Sequence, residues 1–259
     1  MKMAVCLKQV PARDAVLRLN SDSTWVREDD VSFEINEPDI YALEEALRLK
    51  EKQGGEVVVC TLGPERAAQA LKEALAKGAD RAMHLHDPAF QNLDAYATAR
   101  ALAAAIRQAA PDLVLTGLQA DDDGFAQTGV ILAEMLGWAH STIIMEIQAQ
   151  ERALKVKREL EGGWFQWIEI PLPAVLTIQS GINKPRYATL KGILAAKTKP
   201  LQRLGWKELG LDEESLKPHQ KITKVFTPPK SGKVEWLEGT PREVAQRLAD
   251  KLKNEARVI

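Results

Sequence analysis

The stretch Leu113-Val114-Leu115-Thr116-Gly117-Leu118-Gln119-Ala120-Asp121-Asp122-Asp123-Gly124-Phe125-Ala126-Gln127-Thr128-Gly129 joins two kinds of structure in one run. Residues 113–116 form a short unbroken apolar segment, the pattern of a parallel strand covered on both faces. Residues 123–136 have the character of a helix. A strand that passes through a glycine-containing turn into a helix is the unit from which open α/β sheets are built. The fold therefore depends on whether that unit repeats.

It does repeat, upstream. Residues 94–106 are an alanine-rich helix whose small side chains allow close packing on a sheet, and residues 81–86 are a strand. Before them, residues 57–62 are another continuous apolar strand. Gly63-Pro64 turns that strand into a helix with Leu71 and Leu75 on one face and Gly78 at its end. Asn36-Glu37-Pro38 opens a further helix, with Asn36 suited to cap it and Pro38 to its first turn. Ile40, Leu43 and Leu47 face the core there, and Glu44 and Arg48 pair at i, i+4 on the wet side. Residues 3–10 are the first strand, broken by Pro11. Alternating strands and helices predict an α/β fold, an open parallel sheet with right-handed crossovers, Rossmann-like and suited to holding a nucleotide.

Downstream the texture changes. Residues 154–160 and 164–170 alternate around Glu161-Gly162-Gly163, which predicts a β-hairpin, and Pro173 leads into a strand over 174–178. From about residue 190 the chain is loop-rich, with prolines at 200, 218, 228 and 229. It closes on a helix signed by Thr240 as cap, Pro241 at N1 and Glu243 completing a capping box. The expected division is a nucleotide-binding body with its hairpin over residues 1–190, and a C-terminal arm and helix over residues 191–259. Some fifty weakly periodic residues before the closing helix suggest an arm that lies on the body or on a partner.

Charge and composition narrow the function. The 259 residues carry 35 Lys and Arg against 36 Asp and Glu, so nothing global favours nucleic acid. No apolar run reaches the length of a membrane span, and no secretory h-region opens the chain, so a cytoplasmic protein without membrane insertion is expected. The two cysteines, Cys6 and Cys60, make neither a disulfide framework nor, with four scattered histidines, a metal site. Nucleotide-hydrolase, kinase, nucleophile-elbow and zinc-protease motifs are all missing, so no catalytic residue is expected. His84 and His86 share one strand face, where a structural or surface role is favoured over ligation.

Two segments remain as candidates. The junction at residues 116–129 lies where a parallel sheet opens its ligand crevice, and a helix start there offers free N–H groups to an anion. Gln127, Thr128 and backbone amides near Ala126 would grip a phosphate; equally, Asp121–Asp123 would only cap the helix and complement its dipole. Both readings stay open at this point. The second segment runs from residue 180 to 207. It holds seven basic residues (Lys184, Arg186, Lys191, Lys197, Lys199, Arg203 and Lys207) and no acid. That is a solvated loop or a docking surface anchored by Tyr187 and Leu190.

These segments resemble the β subunits of electron transfer flavoproteins. The likeness rests on Val156-Lys157-Arg158-Glu159-Leu160-Glu161-Gly162-Gly163, on Lys184-Pro185-Arg186-Tyr187-Ala188-Thr189-Leu190, on the Gln119–Gly129 stretch, and on the opening Val5-Cys6-Leu7-Lys8-Gln9-Val10-Pro11. The chain departs from mitochondrial members at Asn36-Glu37-Pro38, where they read Asn-Pro-Phe.

The resemblance implies a fold of the adenine nucleotide α hydrolase-like kind. It also implies a heterodimer in which an α subunit holds the redox FAD and this subunit holds AMP. AMP contacts would fall on Cys6, Asn36, Glu37, Pro38, Asp39, Leu62, Gly117, Gln119, Asp122, Asp123, Ala126, Gln127 and Thr128. Docking to acyl-CoA and related dehydrogenases would use Leu190 with Tyr187, Arg186 and Lys191, and electrons would leave to a membrane quinone oxidoreductase. Glu159 would help the flavin domain swing between states. Two alternatives are carried: a bifurcating flavoprotein with a second FAD in place of AMP and NADH as donor, and a free-standing adenine-nucleotide-binding module.

Overall fold

The computed structural model describes residues 1–229, 232 and 234–259. A nine-stranded sheet runs through it in the order β11-β5-β4-β1-β6-β10-β7-β8-β9. The strands are β1 (Lys2–Cys6), β4 (Glu56–Leu62), β5 (Arg81–Leu85), β6 (Leu113–Gly117), β7 (Ala139–Ala149), β8 (Ala153–Glu159), β9 (Phe165–Pro171), β10 (Ala174–Ile178) and β11 (Leu201–Leu204). From β11 to β7 neighbours are parallel; β7, β8 and β9 add an antiparallel edge. A separate pair, β2 (Gln9–Pro11) and β3 (Phe33–Ile35), is antiparallel.

Helices cover both faces, as the continuous apolar strands require. Met3 and Val5 of β1 point into a core with Leu43 and Leu47 of α1 (Glu37–Gln53) and Leu71 and Leu75 of α2 (Ala68–Lys77). Ala4 and Cys6 point the other way, onto Leu102 and Ile106 of α3 (Ala95–Ala109) and Leu132 of α4 (Thr128–Leu136). The period-2 alternation of β1 is thus used on both sides. From β1 the chain winds outward to β4 and β5, then crosses back through α3 to β6 on the far side of β1. The strand order reverses between β1 and β6, and a ligand crevice is expected there, beyond the carboxyl ends of the strands.

Several expectations change. The strand expected over residues 3–10 splits after Cys6. Pro11 ends β2, opposite Phe33 in the small side sheet, an edge position where a missing N–H costs nothing. The helix expected from residue 123 starts only at Thr128, because residues 118–127 form a loop with Gly124 and Ala126 at positive φ. β7 was not foreseen. Its parallel half pairs with β10 and its antiparallel half with β8, and the shift between them interrupts its alternation. Residues 190–204, most of them in the expected loop-rich arm, hold the short helix α5 (Leu190–Ala196) and β11, which extends the main sheet beside β5. Glu44, expected on the wet side of α1, is buried under Arg186, 142 residues further along. The closing helix α6 (Pro241–Lys251) has the capping box read from sequence and buries none of its residues.

Candidate functional site

The switch point is closed by one carboxylate. Asp39, in the first turn of α1, accepts from the Lys8 amide through Oδ2 and from the Gly117 amide through Oδ1, both at 2.7 Å. It thereby ties the end of β1 to the end of β6. Gly117 has to be glycine for this approach, since a Cβ there would lie 2.4 Å from Asp39 Oδ1 and 2.8 Å from its backbone nitrogen. Burial pushes Asp39 up to about 7, and the Lys8 and Gly117 amides oppose it.

Asn36 precedes α1 and makes no side-chain cap on it. Its amide group instead grips the loop after β6. Nδ2 donates to the Gln119 carbonyl at 2.8 Å, and Oδ1 accepts from the Asp121 amide at 2.9 Å. The side chain of Asp121 returns the contact by accepting from the Glu37 amide at 3.2 Å. Lys8 completes the joint, with Nζ 2.7 Å from Asp122 Oδ1 and 2.8 Å from Asp123 Oδ2. The three acids therefore do not cap α4. They fasten residues 118–127 to β1 and α1, and the capping reading falls on that geometry.

That leaves the start of α4 free. Its N-cap residue, Gln127, makes no side-chain cap bond, so among the described residues the first-turn amides have no N-cap side chain as partner. The helix start lies hard against the sheet, since a Cβ on Gly129 would come 2.7 Å from Thr116 Oγ1 and 2.7 Å from Thr177 Cγ2. Uncapped amides and a positive dipole end, at a switch point, suit a phosphate group. Cys6 ends β1 and Leu62 ends the neighbouring β4, at the same edge of the sheet. Burial pushes the Cys6 thiol well up and that of Cys60 to about 12, and both side chains pack inside the body.

The residues expected to touch a nucleotide thus gather along one edge. Within that group Asn36, Asp39, Gly117, Asp122 and Asp123 build the frame, and Ala126, Gln127 and Thr128 lead into the open helix start. Lys8 was not picked out from sequence as a site residue. Its signal was a lysine directly after a buried strand, in a chain with three consecutive acids more than a hundred residues away.

Further along the same edge, His84 and His86 stack with ring centroids 5.2 Å apart. Both donate to the Gly63 carbonyl, at 3.1 Å each. His84 is fully buried and its pKa is lowered by burial, in keeping with a structural role. At the end of β8, Glu159 accepts from Gln179 at 3.4 Å.

The second segment forms a raised patch. Tyr187 is 92% and Leu190 82% exposed, with Leu194 one turn on. Thr189 caps α5 by accepting from the Gly192 amide at 3.0 Å. The basic residues divide by task. Arg186 donates through Nε to Glu44 at 2.8 Å and also pairs with Glu51. Lys199 donates to the Leu75 and Ala79 carbonyls at the end of α2, at 2.9 and 2.6 Å. Arg203 pairs with Glu65. Arg186, expected to touch a partner, is thus committed to holding the loop on α1, while Lys191 is exposed beside Leu190.

Among the described residues no three or more His, Cys, Asp or Glu cluster as metal ligands, and no helix is long and apolar enough to cross a membrane.

The chain is a doubly wound α/β body with an uncapped helix start at its switch point, the place where open α/β sheets offer a ligand crevice. The family model described as electron transfer flavoprotein domain matches residues 24–208. The chain is 39% identical over 254 residues to the electron transfer flavoprotein subunit beta of Methylophilus methylotrophus, covering 96% of each. It is 38% identical over 262 residues to the mitochondrial subunit beta of Oryza sativa subsp. japonica, covering 100% of each. It is also 39% identical over 259 residues to the caffeyl-CoA reductase-Etf complex subunit CarD of Acetobacterium woodii, covering 98% of each. The chain belongs to the electron transfer flavoprotein family, among its β subunits, and is an electron-transfer subunit rather than an enzyme acting alone.

Proposed function

We propose that this chain is the AMP-holding half of a cytoplasmic heterodimer. It supports an FAD-bearing α subunit and docks acyl-CoA-type dehydrogenases, whose electrons pass on towards a membrane quinone oxidoreductase. The observation that carries the nucleotide reading is the uncapped first turn of α4 at the β1/β6 switch point, beside a loop whose acids are occupied elsewhere. AMP would be held by amides of residues 126–129, with Cys6 and Leu62 flanking the crevice. This subunit supplies position rather than chemistry; the electron chemistry belongs to the flavin when bound.

Two further features support the heterodimer. The closing helix α6 buries no residue of its own and carries Leu248 exposed, as an element made to lie on another surface would. The Tyr187–Leu190–Leu194 patch offers a few large apolar side chains, with exposed Lys184, Lys191 and Lys197 near them in sequence, a pattern suited to a partner with an apolar pocket and an acidic rim. Glu159, half-buried at the end of β8, is the residue we assign to the motion of the flavin domain.

The test is to express the chain with its α subunit, denature the complex and chromatograph the nucleotides. One FAD with one AMP per heterodimer is the expected result. Two FAD without AMP would favour the bifurcating reading, to which similarity to a subunit of a CoA reductase–Etf complex lends weight. A stable, nucleotide-loaded chain that never associates with an α subunit would favour the free-standing module. Leu190→Ala should slow electron transfer from a dehydrogenase with FAD content unchanged; loss of FAD in that variant would move Leu190 from docking to folding.

A further inference from the structure

The crevice poses an electrostatic problem. Residues 121–123 place three carboxylates in succession on the loop that leads to the proposed phosphate position. A phosphate brings further negative charge to the same place, and like charges at close range in a partly dry site repel strongly. Asp121 is turned away to the Glu37 amide. Asp122 and Asp123 are not; they converge on Lys8. Among the described residues Lys8 is the one cation in salt-bridge contact with either. Arg13 pairs with Glu37 and Glu34, and Arg66 is held by Glu28 and Gln9 with its guanidinium 3.6 Å over the Phe33 ring.

The mounting of Lys8 is as telling as its charge. Its amide donates to Asp39, and its carbonyl accepts from the Asn36 amide at 2.9 Å. The backbone is thus fixed on both sides by the groups that frame the switch point, and the ammonium reaches Asp122 and Asp123 from a rigid base. Burial works against the charged form of Lys8, but Asp122 and Asp123 outweigh it and its pKa is raised.

We propose that Lys8 is a built-in counterion of this site: it offsets one of the two negative charges of Asp122 and Asp123 and holds both carboxylates, so that a nucleotide phosphate is accepted beside an acidic loop. The inference rests on the nucleotide-binding reading above. Lys8 acts through the two carboxylates and is a positioning residue for the nucleotide. A plain mechanical role, Lys8 as a strut for the loop, makes different predictions, because a strut fails whenever its ion pairs are removed, whatever the residual charge.

The experiment uses the heterodimer and counts released adenine nucleotide in excess of the α-subunit FAD. Lys8→Met should lower retention about tenfold to a hundredfold, and high salt should recover part of the loss by screening the uncovered carboxylates. Lys8→Met combined with Asp122→Asn and Asp123→Asn should restore retention, since both charge and counterion are gone. Asp122→Asn with Asp123→Asn and Lys8 intact should hold nucleotide at least as well as the unaltered complex, and this variant serves alone if Lys8→Met fails to assemble. Full retention by Lys8→Met overturns the proposal. So does loss of nucleotide in the Asp122→Asn, Asp123→Asn variant while tryptophan fluorescence shows it folded, because that is the strut's signature. An unaltered heterodimer releasing no adenine nucleotide beyond the α-subunit FAD would refute the nucleotide reading itself.

Discussion

Removing the guanidinium of Arg186 should destabilise the body of the protein far more than its partly exposed position suggests. Glu44, its partner on α1, is only 6% exposed as a side chain, against 32% for Arg186 and 58% for Glu51. In Arg186→Met, Glu44 keeps the bond from the residue-186 amide, at 3.1 Å here, and a distant Arg48 at 3.9 Å, but loses both guanidinium contacts. Stripping one partner from a buried pair typically costs about 3–5 kcal/mol. The surviving amide bond and the partial exposure of Arg186 reduce that to about 2–3 kcal/mol. For a body of this size the melting temperature would fall by about 5–10 °C. Glu51→Gln should cost less than about 0.5 kcal/mol, because that half of the fork is in water. The assay is urea unfolding followed by tryptophan fluorescence on Arg186→Met, Glu44→Gln and the double variant. The cycle should return a favourable coupling of about 1–2 kcal/mol, with the double variant less damaged than the sum of the singles. If Arg186→Met costs no more than Glu51→Gln, the buried carboxylate is not what the guanidinium holds, and the account of this loop is wrong.

Asp39 gives a pH signature. Burial raises its folded pKa to about 7, against an ordinary carboxylate value near 4 when unfolded. Between those values the folded chain keeps a proton that the unfolded chain has released, so the contribution is fully present below about pH 4 and is lost as pH rises through about 7. Asp39→Asn should remove that slope, and urea midpoints taken across this window would show it; parallel curves for the two proteins would contradict the shift. Gly129→Ala should cost about 1–3 kcal/mol, because its Cβ would meet Thr116 and Thr177 at 2.7 Å. An unchanged melting temperature would show that α4 does not press on the sheet as closely as described.

The parallel core was legible because its strands are buried on both faces and read as unbroken apolar runs: Val57 to Leu62 and Leu113 to Thr116 needed no partner to be recognised. The hairpin was legible for the opposite reason, a clean alternation around Gly162-Gly163. What escaped were features set by distant residues. Nothing near Glu44 announces that Arg186 will cover it, and nothing near Asp122 announces Lys8, 114 positions earlier. The late start of α4 has the same cause, since Asp122 and Asp123 are good capping residues that tertiary pairing draws elsewhere. Asn36 likewise reads as a helix cap and acts as a cross-strand splice. Around the candidate site, the sequence showed which residues gather at the strand ends and gave no sign of how their charges are settled.

The footing of the Tyr187–Leu194 patch has a kinetic consequence. A seven-residue helix would not persist alone in water. Here α5 is bolted to the body at both ends, by Arg186 on α1 and by Lys199 on the end of α2, and Gly192 lies flat against Ala76, whose carbonyl oxygen would be 2.1 Å from any Cβ added there. A surface already frozen in place gives up little freedom when another molecule covers it, so a handful of side chains can suffice for recognition. Loosening a bolt, even one remote from the exposed residues, should then appear as a shortened residence time with capture nearly unaltered.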